Sequence, residues 1–180
     1  MYPIAEKLLK NNRSYRRLAP QGIVVHSTAT PGATAENEYQ YFNRAYRGAS
    51  AHYFVDWQQI IRTIPEDEVA WHAGKTANAL YLSVEMCEPR GHRPAQFEEV
   101  WRRTVWLVAD ACVRYGWCVH RHVFSHRQIS LLYRETTHVD PHGYLERYGR
   151  TWEDLLAAIC RQIEELAGED KAKGQEGATG

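Results

Sequence analysis

The stretch Gly22-Ile23-Val24-Val25-His26-Ser27-Thr28 decides how the chain folds. Three consecutive apolar residues, two of them β-branched valines, give no hydrophobic alternation. That is the pattern of a strand buried on both faces at the centre of a sheet. An imidazole, His26, closes the run. Two later segments carry similar groups: Val123-Phe124-Ser125-His126, and Thr137-His138-Val139-Asp140-Pro141-His142. Imidazole nitrogens and a carboxylate oxygen suit zinc, and three protein ligands leave a fourth tetrahedral position for water. His26, His126 and Asp140 therefore read as the three legs of an open metal centre, the arrangement a hydrolase uses.

Working outward, residues 3–10 are expected to form a short helix with Ile4, Leu8 and Leu9 on one side. Thr34 is a helix N-cap with Glu36 in the first turn, and Tyr39, Phe42 and Tyr46 form the apolar stripe of a helix stopped by Gly48. Residues 52–56 and 59–64 are strands of a hairpin around Trp57-Gln58. Residues 81–87 alternate as another strand, and 121–126 form a short one. Pro94 opens the longest helix, about residues 95–115. There Phe97, Trp101, Thr104, Val105, Val108, Cys112 and Tyr115 recur at helical spacing, and Gly116 ends it. Thr151 caps a last helix over 152–166, with Leu155, Leu156, Ile159, Ile163 and Leu166 inward. Strands alternate with helices, so the class is α/β: a single domain with a central mixed β-sheet and helices on both faces. The domain is expected to span residues 1–166, and residues 167–180 a disordered polar tail or linker stump.

Composition narrows the function classes. The chain has 180 residues, enough for one domain with a core, and its 22 basic and 22 acidic residues cancel. No basic excess points to nucleic acid or an anionic membrane surface. No apolar run approaches the roughly 20 residues that span a bilayer. The sequence from Met1 to Lys7 is too polar for a secretory signal, so the expectation is synthesis in the cytoplasm. Cys87, Cys112, Cys118 and Cys160 lack C-x-x-C spacing and are expected to be free thiols. Arg13-Ser14-Tyr15-Arg16-Arg17 reads as a solvated basic run, and His120-Arg121-His122 as a solvated loop. His52 reads as a hydrogen-bonding residue within the sheet.

Five segments resemble, in order, the zinc-dependent N-acetylmuramoyl-L-alanine amidases of the amidase-2 type, found among phage endolysins, bacterial autolysins and peptidoglycan recognition proteins. They are Gly22–Thr28, Ala49–Asp56, Ile64–Gly74, Ser83–Cys87 and Phe124–His142. The resemblance covers roughly residues 1–165. It implies one zinc ion on His26, His126 and Asp140, and hydrolysis of the amide joining N-acetylmuramic acid to the L-alanine of the peptidoglycan stem peptide. It makes Glu85 the general base. An inward carboxylate between Val84 and Met86 needs such a reason. At His138 many relatives carry a lysine that steadies the oxyanion; an imidazole donates the same hydrogen bond but carries full charge only when protonated. Trp71 and His72 are expected at the substrate groove. The implied setting is a monomer that meets the cell wall after release by lysis. Two other readings stay open: a peptidoglycan-binding module without turnover, and a zinc peptidase cutting within the stem peptide.

Overall fold

Side-chain alternation on the strands sorts the core into two layers. The strands are β1 (Ile4–Glu6), β2 (Ile23–Ser27), β3 (Tyr53–Val55), β4 (Ile60–Arg62), β5 (Leu82–Met86) and β6 (Val123–Ser125). They form one sheet in the order β1-β4-β3-β5-β2-β6. The β3–β4 hairpin is antiparallel and the other pairings are parallel. The structure, a computed structural model, describes the backbone of residues 1–176 and the side chains of residues 1–168.

Among the described residues seven helices accompany the strands: α1 (Ala35–Arg44), α2 (Lys75–Asn78), α3 (Pro94–Tyr115), α4 (Val119–His122), α5 (His126–Tyr133), α6 (His142–Glu146) and α7 (Trp152–Glu176). On one face of the sheet, Ile23, Val25, Tyr53, Val55, Leu82, Val84 and Met86 pack with Phe97, Val100, Leu107 and Val108 of α3 and with Leu155 and Ile159 of α7. On the other, Val24 meets Ala73, Ala77 and Ile129, while Phe54, Ile61 and Cys87 meet Ala35 and Phe42. The sheet is mixed and covered on both faces, as the pattern of apolar runs requires. Its second face is the one on which His26 and Glu85 lie, two residues along from Val24 and from Ser83.

Several local expectations need correction. Residues 3–10 are not a helix: β1 pairs in parallel with β4, and Lys7 and Leu9 donate their backbone N–H groups to Arg62 and Thr63. The apolar positions there are too few to carry an isolated helix, and an open sheet edge satisfies the backbone instead. Helix α1 begins as expected, with Thr34 and Asn37 capping each other, but ends at Arg44 rather than near Gly48. The cause is Asn12, only 3% exposed. Its amide nitrogen donates to the carbonyls of Phe42 and Ala45, and its amide oxygen accepts from the N–H groups of Arg47 and Gly48. Tyr46 is consequently outside the helix and exposed.

The 121–126 strand shortens to β6, and His120-Arg121-His122 lies in the one-turn helix α4 rather than a loop. Helices α2, α5 and α6 have too few turns to leave a periodic signal. Helix α3 matches its expected bounds, with Gly116 left-handed at its end. Helix α7 begins beyond the mutual cap of Thr151 and Asp154 but runs to Glu176, past the expected end at 166. Residues 177–180 of the expected tail lie outside the described residues. Arg13 is not simply solvated: it forms an ion pair with Glu68, whose carboxylate also accepts from the Tyr15 backbone. All four cysteines are free, with Cys87 and Cys112 buried.

If Asn12 ends α1, Asn12→Ala strands buried donors and acceptors and should cost on the order of 2–3 kcal/mol. Chemical denaturation of the variant reads this. A loss below about 0.5 kcal/mol, the level of an ordinary surface change, contradicts the assignment.

Candidate metal centre and active site

The strands whose parallel pairing fixes the sheet's middle also fix the site. In the β2–β5 register, His26 stands opposite Glu85, and β6 lies on the far side of β2. Parallel strands present their carboxyl ends together, which is where open α/β sheets hold their ligands. His26 is the fourth residue of β2 and His126 the first residue of α5, immediately after β6. Ser125 caps α5 through the Gln128 N–H, and Gln128 caps Ser125 in return, so the strand-to-helix turn is locked at His126. Asp140 follows in the loop after α5; the Ser27 N–H donates to its Oδ2, and its own carbonyl accepts from Arg127.

These three side chains converge. His26 Nδ1 is 3.0 Å from His126 Nδ1 and 3.2 Å from Asp140 Oδ2, and His126 Nδ1 is 3.1 Å from Asp140 Oδ1. Ligands about 2.0–2.1 Å from a tetrahedral zinc ion sit roughly 3.3 Å apart, so the donor set and its spacing fit that ion. Both histidines are buried and Asp140 is half-buried. Burial alone would raise the Asp140 carboxyl. The neighbouring His126 and His26 imidazoles outweigh it and hold the group well below the usual carboxylate range. Burial lowers His26, against a smaller opposing pull from Asp140. A neutral imidazole is the ligating form.

Glu85 occupies the same face of the sheet. Burial drives its carboxyl well above the ordinary value, and Asp140, Glu38 and Glu88 push it the same way. Its Oε2 is buried and has no hydrogen-bond partner among the described residues. His138 stands at the mouth, mostly exposed. Its ring stacks on that of His126 at 4.6 Å, and its Nδ1 is 3.8 Å from Asp140 Oδ1. A cavity of about 340 Å³ beside it is lined by Arg127, Arg134, Thr136 and Val139. Another of about 390 Å³ borders the β2 end of the site, between Thr28, Thr30 and the α1 residues Glu38 and Tyr41.

Trp71 and His72, the residues expected at the groove, are both held by contacts within the protein. His72 has both ring nitrogens engaged inside the protein, Nδ1 3.1 Å from His26 Nε2 and Nε2 3.2 Å from the Tyr81 carbonyl. Burial lowers its pKa well below the ordinary value, and His26 and His52 add to this. Trp71 is partly buried wall, edge-on to Tyr46 and tied to Ser50 through its backbone. Gly74 lets the Trp71–Gly74 loop close. Its φ is +91°, and a Cβ there would fall 2.8 Å from Glu135, whose carboxylate accepts from the N–H and hydroxyl of Thr76. His52 is structural: Nε2 donates to the Glu68 carbonyl, Nδ1 accepts from Ser83, and burial lowers its pKa to about 4.

Sequence reasoning missed three polar residues around the centre. Thr136 Oγ1 is 3.1 Å from His126 Nε2 and 2.7 Å from Ser130 Oγ. His142 Nε2 is 3.1 Å from Ser125 Oγ, below the His126 turn. Isolated hydroxyls and a single imidazole have no pattern of their own; only the ligand assignment could have directed attention to them.

Comparison with known proteins gives the family. The profile of the N-acetylmuramoyl-L-alanine amidases of the amidase-2 type matches residues 16–143. The chain belongs to this family. It is 36% identical over 183 residues to a Bacillus licheniformis protein named "Probable N-acetylmuramoyl-L-alanine amidase", covering 89% of this chain and 51% of that one. It is 32% identical over 147 residues to the bifunctional autolysin of Staphylococcus aureus, covering 78% of this chain and 12% of that protein. The chain thus spans about half the length of the first of these relatives and a small part of the second. Among solved structures, the Staphylococcus aureus hydrolase AmiA in complex with its ligand superposes with a TM-score of 0.81 at 28% identity, over 93% of this chain and 87% of AmiA. A mutant endolysin from Bacillus subtilis gives 0.73 at 25% identity, over 88% and 99% of the two chains.

Titrated with zinc, this amidase-family chain should take up one equivalent. His26→Ala, His126→Ala and Asp140→Ala should each weaken uptake by more than about 100-fold, beyond what loss of a supporting residue does. Full zinc loading in any of the three, measured by elemental analysis after dialysis, contradicts the ligand set.

Proposed function

We propose that the chain is a zinc-dependent N-acetylmuramoyl-L-alanine amidase that hydrolyses the amide between the lactyl group of N-acetylmuramic acid and the L-alanine of the peptidoglycan stem peptide. The observation that carries this is the pairing of His26 with Glu85 across β2 and β5, one residue turned to a three-donor cluster and the other a carboxylate whose buried oxygen has no partner among the described residues. Membership of the family supplies the substrate class.

His26, His126 and Asp140 would hold the zinc ion, which when bound acts as a Lewis acid and brings the pKa of its water to about 7. Glu85 takes the proton from the attacking water and delivers it to the departing nitrogen. Burial holds its carboxyl above the ordinary range, and a cation held by the facing cluster would draw it back down. His138, on the solvent side of the cluster, donates a hydrogen bond to the carbonyl oxygen as charge develops there. It lies beside the open cavity lined by Arg127 and Arg134, where the substrate has access.

The test is to digest purified cell wall and analyse the products. Free alanine amino groups should appear without new reducing sugar ends, stop on chelation, and return with zinc. Glu85→Gln should keep its zinc and lose about 10²–10⁴-fold in kcat. New reducing ends would assign a glycosidase, cleavage inside the stem peptide a peptidase, and tight muropeptide binding without turnover a binding module.

A further inference from the structure

His26 has two ring nitrogens, and only one can face the cluster. That one is Nδ1, 3.0 Å from His126 Nδ1 and 3.2 Å from Asp140 Oδ2, an oxygen that already accepts from the Ser27 N–H. The other, Nε2, points back into the protein and ends on His72 Nδ1 at 3.1 Å. The far nitrogen of His72, Nε2, lies 3.2 Å from the backbone carbonyl of Tyr81.

A carbonyl oxygen has no hydrogen to give, so this contact requires a hydrogen on His72 Nε2. In a neutral imidazole the remaining nitrogen, Nδ1, is then a bare acceptor. It can pair only with a hydrogen on His26 Nε2. His26 Nδ1 is thereby left as a lone pair aimed at the cluster. One backbone carbonyl, that of the residue just before β5, thus propagates through two rings and fixes which tautomer the first ligand adopts.

The relay is rigidly mounted. The N–H groups of His72 and Ala73 both donate to Asn78 Oδ1 at 2.8 Å, which pins the ring's own loop to α2. The two rings meet edge-on, with centroids 5.2 Å apart and planes at 86°. The matching arm on His126 is different in kind. It runs to Thr136 and Ser130, whose hydroxyls can give or accept, so it orients the ring without dictating a tautomer.

We propose that His72 is a positioning residue that, through the Tyr81 carbonyl, locks His26 as the Nε2–H tautomer and so presents Nδ1 to the metal. It touches neither metal nor substrate. The metal half of this statement rests on the zinc reading above; the tautomer half stands on the hydrogen-bond chain alone. Orientation of ligating histidines by such partners is worth 10–100-fold in metal affinity.

The experiment has two readouts. Long-range ¹H–¹⁵N NMR of the metal-free protein reports the His26 tautomer directly, and chelator competition reports the zinc Kd. Metal-free wild type should show His26 protonated on Nε2. His72→Phe should lose that preference and bind zinc 10–100-fold more weakly. His72→Asn, whose amide oxygen can replace Nδ1 as acceptor, should recover most of the affinity. Retention of wild-type affinity in a folded His72→Phe, or His26 protonated on Nδ1 in metal-free wild type, overturns the proposal. Should His72→Phe fail to fold, the wild-type tautomer and the His72→Asn affinity still decide it. Wild type that binds no zinc would overturn the metal reading, while the NMR result would still judge the tautomer.

Discussion

Two imidazole nitrogens and a carboxylate oxygen are pressed to within about 3 Å of one another by parts of the chain a hundred residues apart. Three lone-pair donors facing a common point are poor partners for each other and good ones for a cation. The rest of the architecture serves this convergence. Parallel pairing of β2 with β5 and β6 aligns the ends from which His26, Glu85 and His126 project. The reciprocal cap of Ser125 and Gln128 starts α5 at His126, and the loop that follows returns Asp140 to the N–H of Ser27. The long helices α3 and α7 bury the opposite face and leave this one for chemistry.

The site is layered. The outer layer, His138 and the cavity beside it, is open to solvent. The donors and Glu85 form the middle layer, where burial and neighbouring carboxylates shift the ionisable groups. Behind them His72 and Thr136, the latter backed by Ser130, hold the outward-facing geometry by engaging the ring nitrogens that the cluster does not use. Buried polar groups of this kind hold a single arrangement because leaving any one unpaired is costly.

Much of this was legible in the amino-acid sequence. The unbroken run Ile23–Val25 marks a central strand, Thr34 and Pro94 mark helix starts, and the apolar stripe from Phe97 to Cys112 marks the longest helix. Polar residues interrupting or ending apolar runs marked His26, His126, Asp140 and Glu85 as candidates, and the family resemblance supplied their roles. What escaped has physical reasons. The 3–10 segment has a weak helical stripe, and the open edge of β4 outcompetes it. The end of α1 is set by Asn12, some thirty residues away, through contacts no local pattern encodes. The one-turn helices are too short for periodicity to register. His72 could be placed near the site but not oriented, because its partner is the backbone carbonyl of Tyr81, which any residue there would supply.

The most direct test of the account is anomalous diffraction at the zinc edge from crystals of active, zinc-loaded protein. It predicts one strong peak within bonding distance of His26 Nδ1, His126 Nδ1 and an Asp140 oxygen, with a fourth position open to solvent. An active protein with no peak there, or with its only ion elsewhere, would contradict it.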